Sequence, residues 1–481
     1  MKLKLEAKHG YGRIVKYTGV FGSVQVLNII VGLVRNKFVA LLIGPLGMGL
    51  NALFNSVVSF VSMATNLGIS FSAVKHVSEI EAAEDGETPD HFIAVIRAWA
   101  FVTALIGMAV CLAAAPLLSR YAFSGGEHTH HFMLLAPAVG LAAVTGGETA
   151  ILKGIKRLKQ LAMIQIITIA ASLLITVPIY WLFGIAGIVP VIVLTALASM
   201  TATIFYSYRL FPLRLKGMTK LLGEGKDMVR LGTAYTMSGI VACGAEVLIR
   251  SFLNVEAGTE TLGLYNAGFT ITVTYAGLVF TAMDTEYYPR LSSLNHDARA
   301  FSLAANRQTE VSLMLISPLL TLMMVILPQL IPLLYSGEFT AVVPMARIAL
   351  LAMFFNAMKL PAAYMTLAKG DSMAFFLLET TYAAAFAMLT IAGYNLWGLE
   401  GTGVALLVAH IFDLLLIYAY TYIRYHHHVS GSVLAILAVQ LPLGIAAYAL
   451  AFVPGEAFYW LGGILLTAVS ATISIKRMVR K

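Results

Sequence analysis

Fourteen apolar runs, each long enough to cross a hydrocarbon layer roughly 30 Å thick, constrain this chain more than any other feature of its sequence. They lie at about 17–43, 47–72, 92–114, 132–150, 161–183, 186–208, 231–252, 263–288, 310–334, 341–367, 373–394, 399–423, 432–452 and 457–475. Inside lipid every peptide N–H and C=O must be satisfied within its own segment, so runs of this length predict helices. The predicted fold is an all-α polytopic membrane protein of about fourteen transmembrane helices. A water-soluble alternative fails on composition. Only 12% of the 481 residues are charged and 59% are hydrophobic, against roughly a quarter charged in soluble domains. The basic start (Lys2, Lys4, Lys8, Arg13, Lys16) leads into the first run without a small-residue cleavage site. It predicts a retained span rather than a removed signal peptide.

The formal net charge of +8 is not spread evenly. With the N-terminus placed in the cytoplasm, the segments between spans on that side hold 25 of the 32 Lys and Arg, and those on the other side hold Arg120 alone. Lys and Arg concentrate on the cytoplasmic side of membrane proteins, so both termini are predicted to be cytoplasmic, in a bacterial inner membrane. The same asymmetry absorbs the net charge and leaves no nucleic-acid footprint. Outer segments of no more than about twenty residues leave no room for the large outer loop of a glycan polymerase or ligase. Cys111 and Cys243 both fall inside apolar runs, where packing is expected rather than a disulfide.

Several signatures recur at spacings of 214 to 216 residues: Asn51-Ala52-Leu53-Phe54 with Asn266-Ala267-Gly268-Phe269, Lys153-Gly154 with Lys369-Gly370, and Leu182-Phe183-Gly184 with Leu396-Trp397-Gly398. Each pair falls at the same point in the order of spans. Helices 1–6 and 7–12 therefore form two parallel six-helix lobes, at 1–210 and 231–425. A cytoplasmic linker, 211–230, joins them, and 432–481 adds helices 13 and 14. Parallel repeats place a binding site at the lobe interface and allow alternating access by rocking.

Six cations lie within the apolar runs: Arg35, Lys37, Arg97, Arg250, Arg347 and Lys359. A cation at mid-bilayer costs about 2.5–3.5 kcal/mol on insertion scales, so it faces a cavity, pairs, or snorkels. Arg35 is some nine residues from the outer end of its run, a depth of ~13 Å at 1.5 Å per residue. Arg250 follows it by 215 residues, which predicts equivalent places in the two lobes and a facing pair suited to a diphosphate. The competing reading of Arg250 is local neutralisation by Glu246, one turn earlier. Lys359, two residues before Pro361, and Lys37 are further candidates for a substrate cavity, whereas Arg97 and Arg347 are expected to snorkel. Glu246, Glu379, Asp413, Glu148 and Asp284 are candidates either for carrying a coupling proton or sodium ion or for pairing with these cations. The histidines at 128, 130, 131 and 426–428 read as solvated interface residues rather than metal ligands, and no metal or organic cofactor is expected.

The segment Gly44-Pro45-Leu46-Gly47-Met48-Gly49-Leu50, its echo at Gly263-Leu264-Tyr265-Asn266, the two Lys-Gly pairs and Gly337-Glu338-Phe339-Thr340 resemble the O-antigen translocases. These are lipid-linked oligosaccharide flippases of the polysaccharide branch of the multidrug/oligosaccharidyl-lipid/polysaccharide exporter superfamily. The similarity runs over residues 15 to 425. It implies a V-shaped two-lobe fold around a cationic cavity and a substrate of glycan on undecaprenyl diphosphate, carried from the inner to the outer leaflet among membrane lipids. It also implies a glycan polymerase as a membrane partner. Helices 13 and 14 depart from many members but are found in similar peptidoglycan-precursor flippases, so that substrate stays open. A drug exporter of the same superfamily should carry acids on helix 1, where this chain has Arg35 and Lys37. An enzyme acting on polyprenyl phosphates should carry clustered Asp or His at a membrane face, and no such cluster is evident.

Overall fold

The computed structural model describes residues 2–82, 90–123, 125–213, 218–294 and 296–479, with side chains from residue 30 onward except at a few positions, among them Asp284. The first half holds α1 (Lys2–Thr65), α2 (Ile69–Ala82), α3 (Asp90–Phe123), α4 (Thr129–Gly154), α5 (Leu158–Phe183), α6 (Ile188–Leu210) and α7 (Met218–Glu224). Then come α8 (Lys226–Ala257), α9 (Thr259–Phe269), α10 (Ala276–Ser293), α11 (Ala298–Leu334), α12 (Val343–Ala368), α13 (Ser372–Tyr425), α14 (Gly431–Ala449) and α15 (Glu456–Val479). No strand occurs among the described residues.

Ten helical stretches among the described residues are long and apolar enough to cross a membrane. Three of them contain a break. Helix α1 breaks at Gly44 before Pro45, α5 and α6 are separated by a single 3-10 turn at Gly184–Gly187, and α13 breaks at Trp397 and Gly398. Each half of a broken stretch corresponds to one of the apolar runs. The run at 263–288 is not among the ten, and some of its side chains lie outside the described residues, so the count of fourteen crossings stays an expectation. The interior is largely apolar, and the exterior is apolar too, while a few charged side chains are buried. Trp181 and Leu461 are 73% and 70% exposed, while Arg97 and Lys359 are 5% and 7% exposed. Such an exterior is stable only against lipid.

The repeat is written in the backbone at a register of 214. Helices α4 and α12 are both 26 residues long and begin at 129 and 343. Left-handed backbone occurs at Gly44 and Gly258 (φ 61° and 86°), at Lys156 and Gly370 (φ 54° and 73°), and at Gly184 and Gly398 (φ 55° and 60°). Gly44 and Gly258 combine positive φ with ψ of −170° and 158°, a conformation open to essentially no residue but glycine. The two Lys-Gly pairs are not equivalent in this register. Lys156, not Gly154, takes the left-handed place of Gly370. Gly154 instead lets α4 close on α2, since a Cβ there would lie 2.6 Å from Val77.

By contact the chain divides into two compact units, Met1–Thr259 and Glu260–Lys481. The division falls at the end of α8 rather than within 211–230. Helix α8, which the repeat assigns to the second half, packs with α1, α2 and α3 of the first. Gly68 and Gly232 bring two backbones together there, because a Cβ on Gly68 would lie 2.0 Å from the Gly232 carbonyl. Asn254 of α8 donates to the Ala122 carbonyl of α3 at 2.8 Å. In the second unit α11 is the central helix and packs with α12, α14 and α15. The last helix is tied down by Tyr459, which donates to the Val325 carbonyl at 2.5 Å. Tyr459 also accepts from Arg347 at 2.8 Å, so Arg347 does not snorkel: a partner from a helix beyond the repeat meets it at its own depth.

Candidate functional site

In the first unit α1, α4, α5 and α6 leave a cavity of about 350 Å³ beside Arg35. A second cavity of about 390 Å³ continues it, the two sharing Ala142 and Ala196 as walls, and Lys153 lines its far part. The helix faces that line this groove follow from spacing. Ala138, Ala142, Thr145, Gly146, Thr149 and Lys153 of α4, and Ile192, Thr195, Ala196 and Ser199 of α6, recur at three and four residues, the period of one helix face. Small residues make the room: a Cβ on Gly32 would meet nothing within 4 Å.

The groove's chemistry is hydroxyl-rich with a cation set into it. The Arg35 Nη1 donates to Ser172 Oγ at 3.0 Å, a neutral partner that leaves the charge uncompensated by that bond. Thr145 and Thr195 donate their hydroxyl hydrogens to the carbonyls of Leu141 and Val191, each at 2.7 Å. With their hydrogens committed, the oxygens of these lining residues can act only as acceptors, complementary to sugar hydroxyls as donors.

Arg250 does not join Arg35. No residue of α8 lines the cavity among the described residues, and Arg250 pairs within its own helix with Glu246. The reason lies in the register. At 214 the counterpart of Arg35 is Ile249, 1% exposed, and one residue of offset rotates a side chain about 100° around a helix. Lys37 is half-buried and, two residues on, lies about 200° around the helix from Arg35, and Asp284 lies outside the described side chains.

The second unit gathers a separate charged cluster. Lys359 Nζ lies 2.7 Å from Asp413 Oδ2, the two side chains being 9% and 1% exposed. The ammonium also sits 5.0 Å from the Tyr382 ring centre, and Tyr382 meets His410 edge-on at 5.7 Å. Glu379, one turn before Tyr382, interacts electrostatically with both Lys359 and Asp413. Beyond the ammonium, neither Asp413 oxygen has a hydrogen-bond donor among the described residues. One ammonium and two carboxylates give this apolar pocket a formal charge of −1 when both acids are ionised and His410 is neutral.

Glu148 belongs elsewhere. It pairs with Arg97, whose Nε and Nη2 donate to its two oxygens at 2.8 and 3.2 Å. Ser207 donates to it as well, and Arg97 Nη1 donates to the Phe211 and Pro212 carbonyls at 2.9 and 3.2 Å. Arg97 therefore does not snorkel: the acid opposite it on α4 and the carbonyl end of α6 satisfy it in place. His130, His426 and His428 are exposed, while His427 and His128 are less wet than expected. His427 is 2% exposed and hydrogen-bonded to Ser302, and burial pushes it down to about 4. His128 stacks against Phe123 and burial lowers it below its usual value, so both are uncharged at neutral pH. No group of three or more His, Cys, Asp or Glu able to hold a metal ion occurs among the described residues.

A family profile described as "Polysaccharide biosynthesis protein" matches residues 38–344. No curated protein sequence matches the chain. Among solved structures, an inward-facing multidrug resistance MATE family transporter of the MOP superfamily superposes with a TM-score of 0.69 at 14% identity, covering 83% of this chain and 94% of its own. The lipid II flippase MurJ, in an inward closed conformation, superposes with a TM-score of 0.66 at 16% identity, covering 95% and 99%. An overlap of 95% of this chain cannot leave out both α14 and α15. A MOP superfamily transporter from Pyrococcus furiosus, described as having a binding pocket of reversed polarity, gives 0.61 at 14% identity, covering 85% and 94%. At these identities the likeness shows a shared all-α membrane fold and nothing more.

Proposed function

This chain belongs to the family of polysaccharide biosynthesis proteins, and from that premise we propose that it flips a lipid-linked oligosaccharide across the bacterial inner membrane. The substrate of this reading is a glycan unit, O-antigen or a related surface glycan, on undecaprenyl diphosphate. It passes from the cytoplasmic to the periplasmic leaflet as the two repeats rock about it, and the chain makes and breaks no covalent bond. A glycan polymerase would take the unit up on the far side.

One observation carries this reading: Arg35 sits at lipid depth in a hydroxyl-lined groove with a neutral hydrogen-bond partner. A guanidinium presents a planar fork of donors matched to phosphate oxygens, and the threonine oxygens around it match sugar hydroxyls. A drug exporter for organic cations would need an acid where Arg35 stands, and among the described residues no acid lines either part of the groove. A peptidoglycan-precursor substrate shares the diphosphate and differs only in the glycan. The orientation is checked by cysteine labelling of intact cells: Arg120→Cys should react with an impermeant reagent from outside and Lys156→Cys should not. The reverse pattern overturns the orientation.

The cluster around Lys359 supports a coupling role for a proton. A pocket at −1 in an apolar interior is costly, because unpaired buried charge is poorly compensated, and one proton on Asp413 or Glu379 brings it to neutrality. Asp413→Asn or Glu379→Gln is expected to abolish transport and its dependence on the pH gradient in proteoliposomes. Normal pH-dependent transport in both variants excludes these carboxylates as carriers, and a requirement for sodium in the wild type would replace the proton.

A further inference from the structure

We infer that Lys153 is a second phosphate station, receiving the lipid diphosphate at one end of the groove and passing it along α4 to Arg35. This rests on the functional reading above and adds a residue to it. Nothing in the sequence marks Lys153 for this role: it belongs to a basic cluster that orientation alone explains, and its Lys-Gly motif falls out of register with its echo.

Three observations carry the inference. The cavities at Arg35 and Lys153 share two walls, Ala142 and Ala196, so they adjoin along α4 and α6. The α4 face lining it runs from Ala138 beside Arg35 to Lys153, which at 1.5 Å per residue is about 22 Å, a span comparable with the distance a headgroup must climb to leave the interface. Between the two cations that face carries hydroxyls, Thr145 and Thr149, answered by Thr195 and Ser199 on α6 and by Ser70. Lys153 is exposed, as are its neighbours Lys156 and Arg157, but of the three it alone lines either cavity. An anion taken from water into such a groove is stable only where donors or cations replace its hydration. A cation at each end and hydroxyls between them supply that along the whole path, so the diphosphate has two resting places rather than one.

The two stations have separable kinetics. Lys153 acts on capture and Arg35 on the committed crossing. In proteoliposomes loaded with undecaprenyl-diphosphate-linked glycan, Lys153→Gln should raise KM roughly tenfold or more, the loss expected for one charge-assisted contact, with kcat retained. Lys153→Arg should restore KM, and Lys156→Gln should match the wild type. Arg35→Gln should lower kcat with KM little changed. Occupancy is read independently of flipping by thiol protection in a Cys111→Ala, Cys243→Ala background. Inorganic pyrophosphate should protect Thr149→Cys from a charged thiol reagent, and Lys153→Gln should remove that protection. With Arg35→Gln in place, Thr149→Cys should stay protected while Thr195→Cys does not. A KM for Lys153→Gln within twofold of that of Lys156→Gln, or pyrophosphate protection at Thr149→Cys that survives Lys153→Gln, overturns the station. Absence of glycan movement by the wild type would instead overturn the functional reading, and the pyrophosphate arm still decides whether the site exists.

Discussion

Arg35→Ala is expected to stop surface-glycan display while protein level and membrane insertion stay normal. The structure gives the reason for both halves of that result. Arg35 donates to the neutral Ser172 hydroxyl, so its removal strands no buried countercharge and the fold loses little. The substrate loses the Arg35 guanidinium, and a charge-assisted group of this kind contributes about 1.5–3 kcal/mol, so occupancy of the Arg35 station, and with it the rate of crossing, falls roughly ten- to hundredfold. Lysine at the same place keeps the charge and loses the fork, so it should restore display only in part. Arg250→Ala offers a contrast. Its partner Glu246 is 48% exposed, so water can solvate the carboxylate left behind and this variant should fold and transport nearly normally. Glycan staining and immunoblotting of each variant settle the matter together. Full display in Arg35→Ala would remove the residue from the mechanism.

The largest effect on stability is expected at Arg97. Arg97→Met leaves Glu148, 2% exposed, with its guanidinium partner gone. Breaking a buried ion pair by removing one side costs about 3–5 kcal/mol. The Phe211 and Pro212 carbonyls lose their donor at the same time, so the end of α6 should loosen where it enters the segment joining the repeats. We expect little folded Arg97→Met protein by size-exclusion chromatography in mild detergent. The double variant Arg97→Met, Glu148→Met removes both charges, and replacing a whole buried pair by apolar side chains is often neutral or stabilising. Its recovery, with transport intact, would assign Glu148 to structure and remove it from the coupling candidates. A double variant no more stable than Arg97→Met would show that the pair itself is not what fails.

What the sequence makes legible is whatever depends on near neighbours. Apolar runs such as 161–183 and 341–367 sit within a few residues of α5 and α12. The interruption at Gly44-Pro45 is visible because only glycine tolerates the backbone found there. Glu246 and Arg250 are legible as a pair because they share a helix at four residues' spacing. Partners from distant helices are not. Arg97 and Glu148 are 51 residues apart and Arg35 and Ser172 are 137 apart, and no local pattern says which faces meet. The expected pairing of Arg35 with Arg250 shows how finely register matters. An offset of 215 against a backbone register of 214 is a small discrepancy in alignment and about 100° of rotation around a helix. The groove was half legible: its cation was singled out by depth, while the hydroxyl face of α4 was lost among ordinary helix residues.

On the proposed function, the groove of the first unit takes a polyprenyl-diphosphate glycan rather than an organic cation. Purified protein reconstituted into vesicles and offered both substrates tests this most directly. The expected result is movement of the diphosphate-linked glycan to the opposite leaflet, its loss in Arg35→Ala, and no uptake of the cation. Cation uptake by the wild type without glycan movement, unchanged by Arg35→Ala, would contradict it.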